Sequence, residues 1–304
     1  FSLGDKNSAS NMKIDALGFV CILLQSHDPL VFQIHIPTLV PLIVSAVFDP
    51  FYKIATEALQ VMQQLVKVIR PLDNSSLLTK PTDNIQSLVD EIYDCTLQKL
   101  KATDVDQEVK ERAIACMGQI LANMGDMLNN KLHICLPIFL ERLLNEVTRL
   151  SSVKALTMIA ASSLRINLTP ILNDVLPSLG SFLRKNQRSL KLHSLDLLNK
   201  IVENYSHTFS PQLLQIAILE LKPLISDSDL HIAQYSLLLL TTTARNQPQA
   251  LAGMQDNLLP SILNLVRSPL LQVRLLVLFF IPILKILQFL SKLKVKLKPF
   301  LTCG

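Results

Sequence analysis

The chain has 304 residues, 49 % of them hydrophobic, and a mean hydropathy of +0.36, which is too apolar for a disordered chain. Seven glycines, no tryptophan and no Asn-Gly or Asp-Gly turns leave little support for an all-β architecture. The formal charge of +5 is concentrated at the end: six Lys or Arg and no acid follow Gln272, and those six removed from 29 leave 23 basic against 24 acidic residues. No duplex-binding face is expected of such a body.

In chain order, the first periodic element opens at Met12-Lys13, an apolar residue followed by a basic one at the head of a helical apolar stripe. An apolar helix with a proline follows at Leu39–Ile43, then the turn Asp49-Pro50 and a second stripe from Tyr52-Lys53. Pro71 to Asn84 (PLDNSSLLTKPTDN) reads as a surface loop insertion over 71–84. The acidic turn Asp104-Val105-Asp106 leads into Val109-Lys110, and Leu136-Pro137 into Val153-Lys154. Leu176-Pro177 precedes the basic turn Arg184–Arg188 and the stripe from Leu190-Lys191. Leu221-Lys222-Pro223, the turn Asp227-Ser228-Asp229 and Leu230-His231 form the next set, and Leu259-Pro260 precedes Leu271-Gln272.

The second members of these pairs lie 40, 57, 44, 37, 40 and 41 residues apart, and only the step holding the inserted loop is long. A period near forty, each unit a helix, a turn and a second helix, predicts an all-α fold: an α-solenoid of HEAT-type helical hairpins, about seven units, the first and last incomplete. The aspartates before the second helices suit N-caps, because a carboxylate accepts the free N–H groups of a first turn. Asp49 to Lys53, Asp106 to Lys110 and Asp227 to His231 share a spacing of four, which suits a ladder of contacts between repeats. Small residues three positions after the pairs (Ala16, Thr56, Ala113, Thr157, Ser194) let neighbouring helices approach. Residues 1–272 read as the solenoid and 273–304 as a divergent apolar, Lys-rich tail, part helix and part disordered.

No phosphate-binding loop, HExxH or GxSxG string is present, and the histidines are scattered. No catalytic, metal or cofactor residue is assigned, and the chain reads as a protein-binding scaffold rather than an enzyme. His133 and Cys135 stand two apart, about 200° around a helix, so they read as structural. The five cysteines lack a CxxC pair and read as reduced thiols. The run Arg184-Lys185-Asn186-Gln187-Arg188 reads as a solvated turn, and its Arg184, Lys185 and Arg188 are the partner-binding candidates, suited to phosphates or an acidic surface. In the tail, the apolar run 275–284 is too short to span a bilayer, although KLKVKLK could lie on a membrane surface.

Several longer strings carry a resemblance: DPFYKIATEAL at Asp49–Leu59, QQLVKVIRPLD at Gln63–Asp73, DVDQEVKERAIACMGQ at Asp104–Gln119, FLERLLNEVTRLSSVKAL at Phe139–Leu156, SFLRKNQRSLKL at Ser181–Leu192 and LVRSPLLQ at Leu265–Gln272. Together they resemble the middle of the cullin-associated, neddylation-dissociated family over about Asn11 to Gln272. The resemblance implies a non-enzymatic regulator that wraps the unneddylated cullin–RING core and promotes exchange of adaptor and substrate-receptor modules. It also implies TATA-binding protein as a further partner and residence in cytoplasm and nucleus, while the near-neutral body gives no reason to expect direct nucleic acid contact. On this reading the chain is a central fragment, and the residues after Gln272 depart from the family's Gly- and Ala-rich continuation. The alternative from another class is a transport adaptor of the importin type, whose acidic inner loops the near-neutral body does not supply.

Overall fold

The structure, a computed structural model, describes residues 8–71, 83–267 and 273–274, and these divide into two compact units, one up to Leu168 and one from Thr169. The expected start at Leu271-Gln272, nearly all of the tail and most of the inserted loop lie outside the described residues. The loop is shorter than its expected bounds, because Asp83 and Asn84 already belong to a helix.

The first unit contains α1 (Ser10–Ser26), the short α2 (Pro29–Phe32), α3 (Ile36–Val47), α4 (Tyr52–Ile69), α5 (Asp83–Lys101), α6 (Gln107–Met124), α7 (Leu132–Leu144) and α8 (Arg149–Ala161). Three antiparallel hairpins result: α3 packs on α4, α5 on α6 and α7 on α8. The second helices stack in order, α1 on α4, α4 on α6 and α6 on α8, while α3, α5 and α7 form the other layer. No helix of this kind can bury its apolar stripe alone, so stacking supplies the core. Helix α6 is the extreme case, since Cys116 to Gly125 are buried without interruption between α4, α5 and α8. Gly118 permits this: a Cβ there would lie 2.7 Å from Ala155 Cβ on α8, so only a bare Cα fits the crossing. Of the expected small residues, Thr56, Ala113 and Ser194 are fully buried, whereas Ala16 and Thr157 are half-buried.

The second unit contains α9 (Thr169–Leu183), α10 (Arg188–Tyr205), α11 (Pro211–Leu219), α12 (Leu230–Asn246) and α13 (Gln255–Val266). Here α9 packs on α10 and α11, and α10 packs on α12. Among the described residues the helices form four packed hairpins, a further consecutive pair, α11 and α12, that does not pack closely together, the lone second helix α1 and the lone first helix α13. That is the seven-fold repetition the spacing predicts.

Pro41, Pro137, Pro177 and Pro260 all stand inside first helices, where each removes one helical hydrogen bond. Pro223 does not: α11 ends at Leu219, and the chain turns through 220–225, with Leu224 N and Ile225 N donating to Leu221 O at 2.9 and 3.0 Å. The run Pro29–Val47 is long and apolar enough to cross a membrane by length and composition. It is divided between α2, a 3₁₀ turn and α3, and Ile36, Val40, Ile43, Ala46 and Val47 of α3 are buried.

Candidate partner-binding surface

Two of the three acidic turns behave as caps, with a refinement in position. The turn at Asp49 does not, because α4 begins three residues later with Phe51 at its cap position. Asp106 accepts from Glu108 N at 2.9 Å, and Asp229 accepts from His231 N and Ile232 N at 3.1 and 3.2 Å. Asp104 and Asp227 bond to no helix start among the described residues, because the cap position falls one residue before the helix and only Asp106 and Asp229, two residues on, occupy it. Asp49 accepts from Phe51 N at 2.9 Å and also receives Lys13 Nζ of the preceding repeat at 3.3 Å. The ladder between repeats therefore exists, but it does not join residues four apart. It runs from the head of one second helix to the aspartate before the next, as Lys13–Asp49 in the first unit and Arg188–Asp229 in the second. Among the described residues no carboxylate lies within ion-pair distance of Lys53, Lys110, Lys154 or Lys191.

The candidates Arg184, Lys185 and Arg188 stand together on the exposed turn between α9 and α10. Two of them have intramolecular partners. Arg188 grips Asp229 with two nitrogens, Nε to Oδ2 and Nη2 to Oδ1 at 3.2 Å, and Arg184 Nη1 lies 3.5 Å from Glu220 Oε1. The Arg188 hydrogen bond holds the Asp229 carboxyl below the usual carboxylate range, against a smaller opposing effect of burial. Lys185 is exposed with no ion pair among the described residues, which leaves it as the free cation of the three.

A second set of contacts was not legible in the sequence. Near the C-terminal end of a second helix, a buried polar side chain donates to a carbonyl at the corresponding end of the preceding one. Asn123 Nδ2 donates to Arg70 O at 2.7 Å, Ser162 Oγ donates to Ala122 O, and Gln247 Nε2 donates to Ser206 O and Phe209 O at 2.9 and 3.0 Å. These bonds satisfy carbonyls that a helix end leaves without intrahelical partners. The residue types differ from repeat to repeat, so only their spacing near forty could have signalled them.

The chemistry of the thiols is that of packing groups. Burial pushes Cys95 and Cys116 up to about 12 and Cys135 up to about 11, so none is a thiolate near neutrality. His133 is exposed and Cys135 buried, on different sides of α7. Among the described residues no group of three His, Cys, Asp or Glu could hold a metal ion. What the surface does offer is apolar area at the hairpin turns. Phe48, Phe51 and Tyr52 are exposed at the α3–α4 turn, where Lys99 Nζ sits 5.2 Å over the Phe48 ring. Leu144 and Val147 are exposed at the α7–α8 turn. Grooves of about 670 Å³, bordered by Gln25, Gln64 and Gln119, and of about 570 Å³, between α10 and α12, provide the concavities.

Known proteins resemble this chain in sequence and, separately, in fold. A family model described as "CAND1-like, TPR repeats" matches residues 1–117. Cullin-associated NEDD8-dissociated protein 1 of Drosophila melanogaster is 71 % identical over 272 residues, which is 90 % of this chain and 22 % of the relative. Cullin-associated NEDD8-dissociated protein 2 of Mus musculus is 44 % identical over 89 % of the chain and 22 % of its own length. The Arabidopsis thaliana protein 1 is 39 % identical over the same shares. A designed armadillo repeat protein superposes with a TM-score of 0.58 at 17 % identity, covering 81 % of this chain and 99 % of its own, a likeness of fold alone. Along nine tenths of its length this chain is thus related in sequence to the cullin-associated NEDD8-dissociated proteins, while spanning about a fifth of the length of those relatives.

Proposed function

We propose that the chain is a non-enzymatic arm of a cullin–RING regulator, binding the cullin–RING core that lacks its ubiquitin-like modification and assisting exchange of adaptor and substrate-receptor modules. The observation that carries this is the 71 % identity over 272 residues, which extends across both compact units. Stacked hairpins suit the task, because a repeat array presents side chains from successive units along an elongated partner. Competition between that surface and a receptor module for one scaffold is then a coupling of binding free energies. The RING subunit as part of the bound core, TATA-binding protein as a further partner, and residence in cytoplasm and nucleus belong to the same reading. The importin-type alternative gains no support, since its acidic inner surface has no counterpart in a body of 23 basic and 24 acidic residues. The test is a pull-down of the 304-residue chain with purified cullin–RING core, unmodified and neddylated in parallel. Capture of the unmodified core alone is expected. Capture of neither, or of both equally, would overturn the reading.

A further inference from the structure

The groove of about 670 Å³ in the first unit crosses three successive second helices: Gln25 borders it from α1, Gln64 from α4, and Gln119 and Asn123 from α6. Leu24 and Val68, both buried, add apolar wall. Two of the amides are held in fixed orientation. A backbone carbonyl can only accept, so the Asn123 atom 2.7 Å from Arg70 O is Nδ2, and Asn123 Oδ1 then takes Gln119 Nε2 at 2.6 Å. This chain of bonds leaves Gln119 Oε1 as an acceptor, and no donor among the described residues reaches it. Gln119 is nine-tenths buried yet keeps 8 % of its surface open where it borders the groove, so its oxygen is not sealed inside the protein.

On α4 the opposite group is free. An ammonium can only donate, so Gln64 receives Lys67 Nζ through its Oε1, at 3.2 Å, and Gln64 Nε2 keeps its N–H groups unused among the described residues. The groove therefore offers one oriented acceptor from α6 and one oriented donor from α4. Buried amide oxygens are almost always satisfied, so the occupant must bring a donor for Gln119. It must also bring an acceptor for Gln64. A guanidinium or ammonium has no acceptor, and a carboxylate has no donor. A hydroxyl carries both on one atom, which is too small to reach two helices whose axes lie about 8–10 Å apart. An extended peptide meets both needs, because each residue turns its own N–H and C=O to the same edge of the strand. Its side chains stand off that edge, where Leu24 and Val68 supply apolar contact.

We propose that this groove receives an extended backbone segment of a partner protein, the N–H of one residue donating to Gln119 Oε1 and its C=O accepting from Gln64 Nε2. The site does not depend on the partner being a cullin–RING core, and it can fail or stand independently of that reading. The test uses the full chain, titrated with N-acetyl-valine methylamide, a single blocked residue. The control probe is the same molecule methylated at both amide nitrogens, N-acetyl-N-methylvaline dimethylamide, which keeps the carbonyls and loses the donors. The readouts are the side-chain amide resonances of Gln119 and Gln64. The first probe should move both along one saturating curve, with the methylated probe roughly tenfold weaker, the worth of one hydrogen bond. Gln64→Met, at a half-buried position, should weaken the first probe by a similar factor, read at Gln119. Gln25→Trp, at an exposed position on the rim, should block it with the melting midpoint unchanged. Equal response to the two probes, first-probe binding unchanged in Gln64→Met, or no response from either resonance would each overturn the proposal.

Discussion

The two units join their repeats with the same kinds of side chain placed in different surroundings. In the first, Arg142 is 6 % exposed and its Nη2 donates to Leu100 O at 2.9 Å, with Lys101 O and Ala102 O further off, closing the C-terminus of α5 from the next hairpin. In the second, Arg188 and Arg184 lie on the surface and reach Asp229 and Glu220 of the next hairpin. Both arrangements repeat a contact across one period. They differ in what is lost when the contact is removed. A buried helix end deprived of its donor keeps its carbonyls dry and unpaired, whereas an exposed carboxylate recovers water. Placement decides the energetics here, and the count of ion pairs does not.

The largest effect is expected at the buried packing that underlies both arrangements. Ala113 is fully buried in α6, and Ala113→Asp should destabilise the first unit by about 3–5 kcal/mol, read from urea denaturation. An unchanged curve would reject the repeat register. Next, Arg142→Met should cost about 2–3 kcal/mol, because the apolar stem remains while the α5 carbonyls lose their donor. Gln247→Leu sharpens the contrast, since this clasp belongs to the second unit yet is buried at 4 % exposure. It should cost about 1–3 kcal/mol by the same reasoning. A smaller effect than that of a surface ion pair would refute the primacy of burial.

The smallest effect is expected from Arg188→Ala, whose melting midpoint should match the parent's within error at physiological salt. Its signature is in titration. The folded-state pKa of Asp229 is lowered, so what the pair contributes is fully present above the ordinary aspartate pKa and is lost as pH falls through the depressed folded value. In Arg188→Ala the Asp229 carboxyl should titrate at a higher pH than in the parent, and the parent should lose its small advantage only in acid. An unmoved Asp229 titration would show that the guanidinium is not its principal partner.

The period was legible because each second helix opens with an apolar residue followed by a polar or basic one. Those pairs fall in or beside the first turns of α1, α4, α6, α8, α10 and α12. The first helices were legible where a proline marked them. Helix α5 carries none, and Pro223 marks a turn, since a proline suits both settings and the local pattern does not choose. Caps were legible to within two residues. The partners of the ladder were not: Lys13 and Arg188 look like other surface cations, and only the stacking brings them to Asp49 and Asp229. The groove between α10 and α12 was illegible for the same reason. Asp196 and Asn199 are ordinary residues of a helical stripe until α12 comes to face them across the groove.

The first unit is one stack organised around α6, with its second helices as the stable layer. Hydrogen exchange followed by mass spectrometry on the intact chain tests it directly. Amides of α6, buried continuously from Cys116 to Gly125, should exchange most slowly in that unit, with α4 and α8 next and α1 fastest among the second helices. Exchange of α6 as fast as that of α1 would mean that the hairpins open independently and that α6 does not organise the stack.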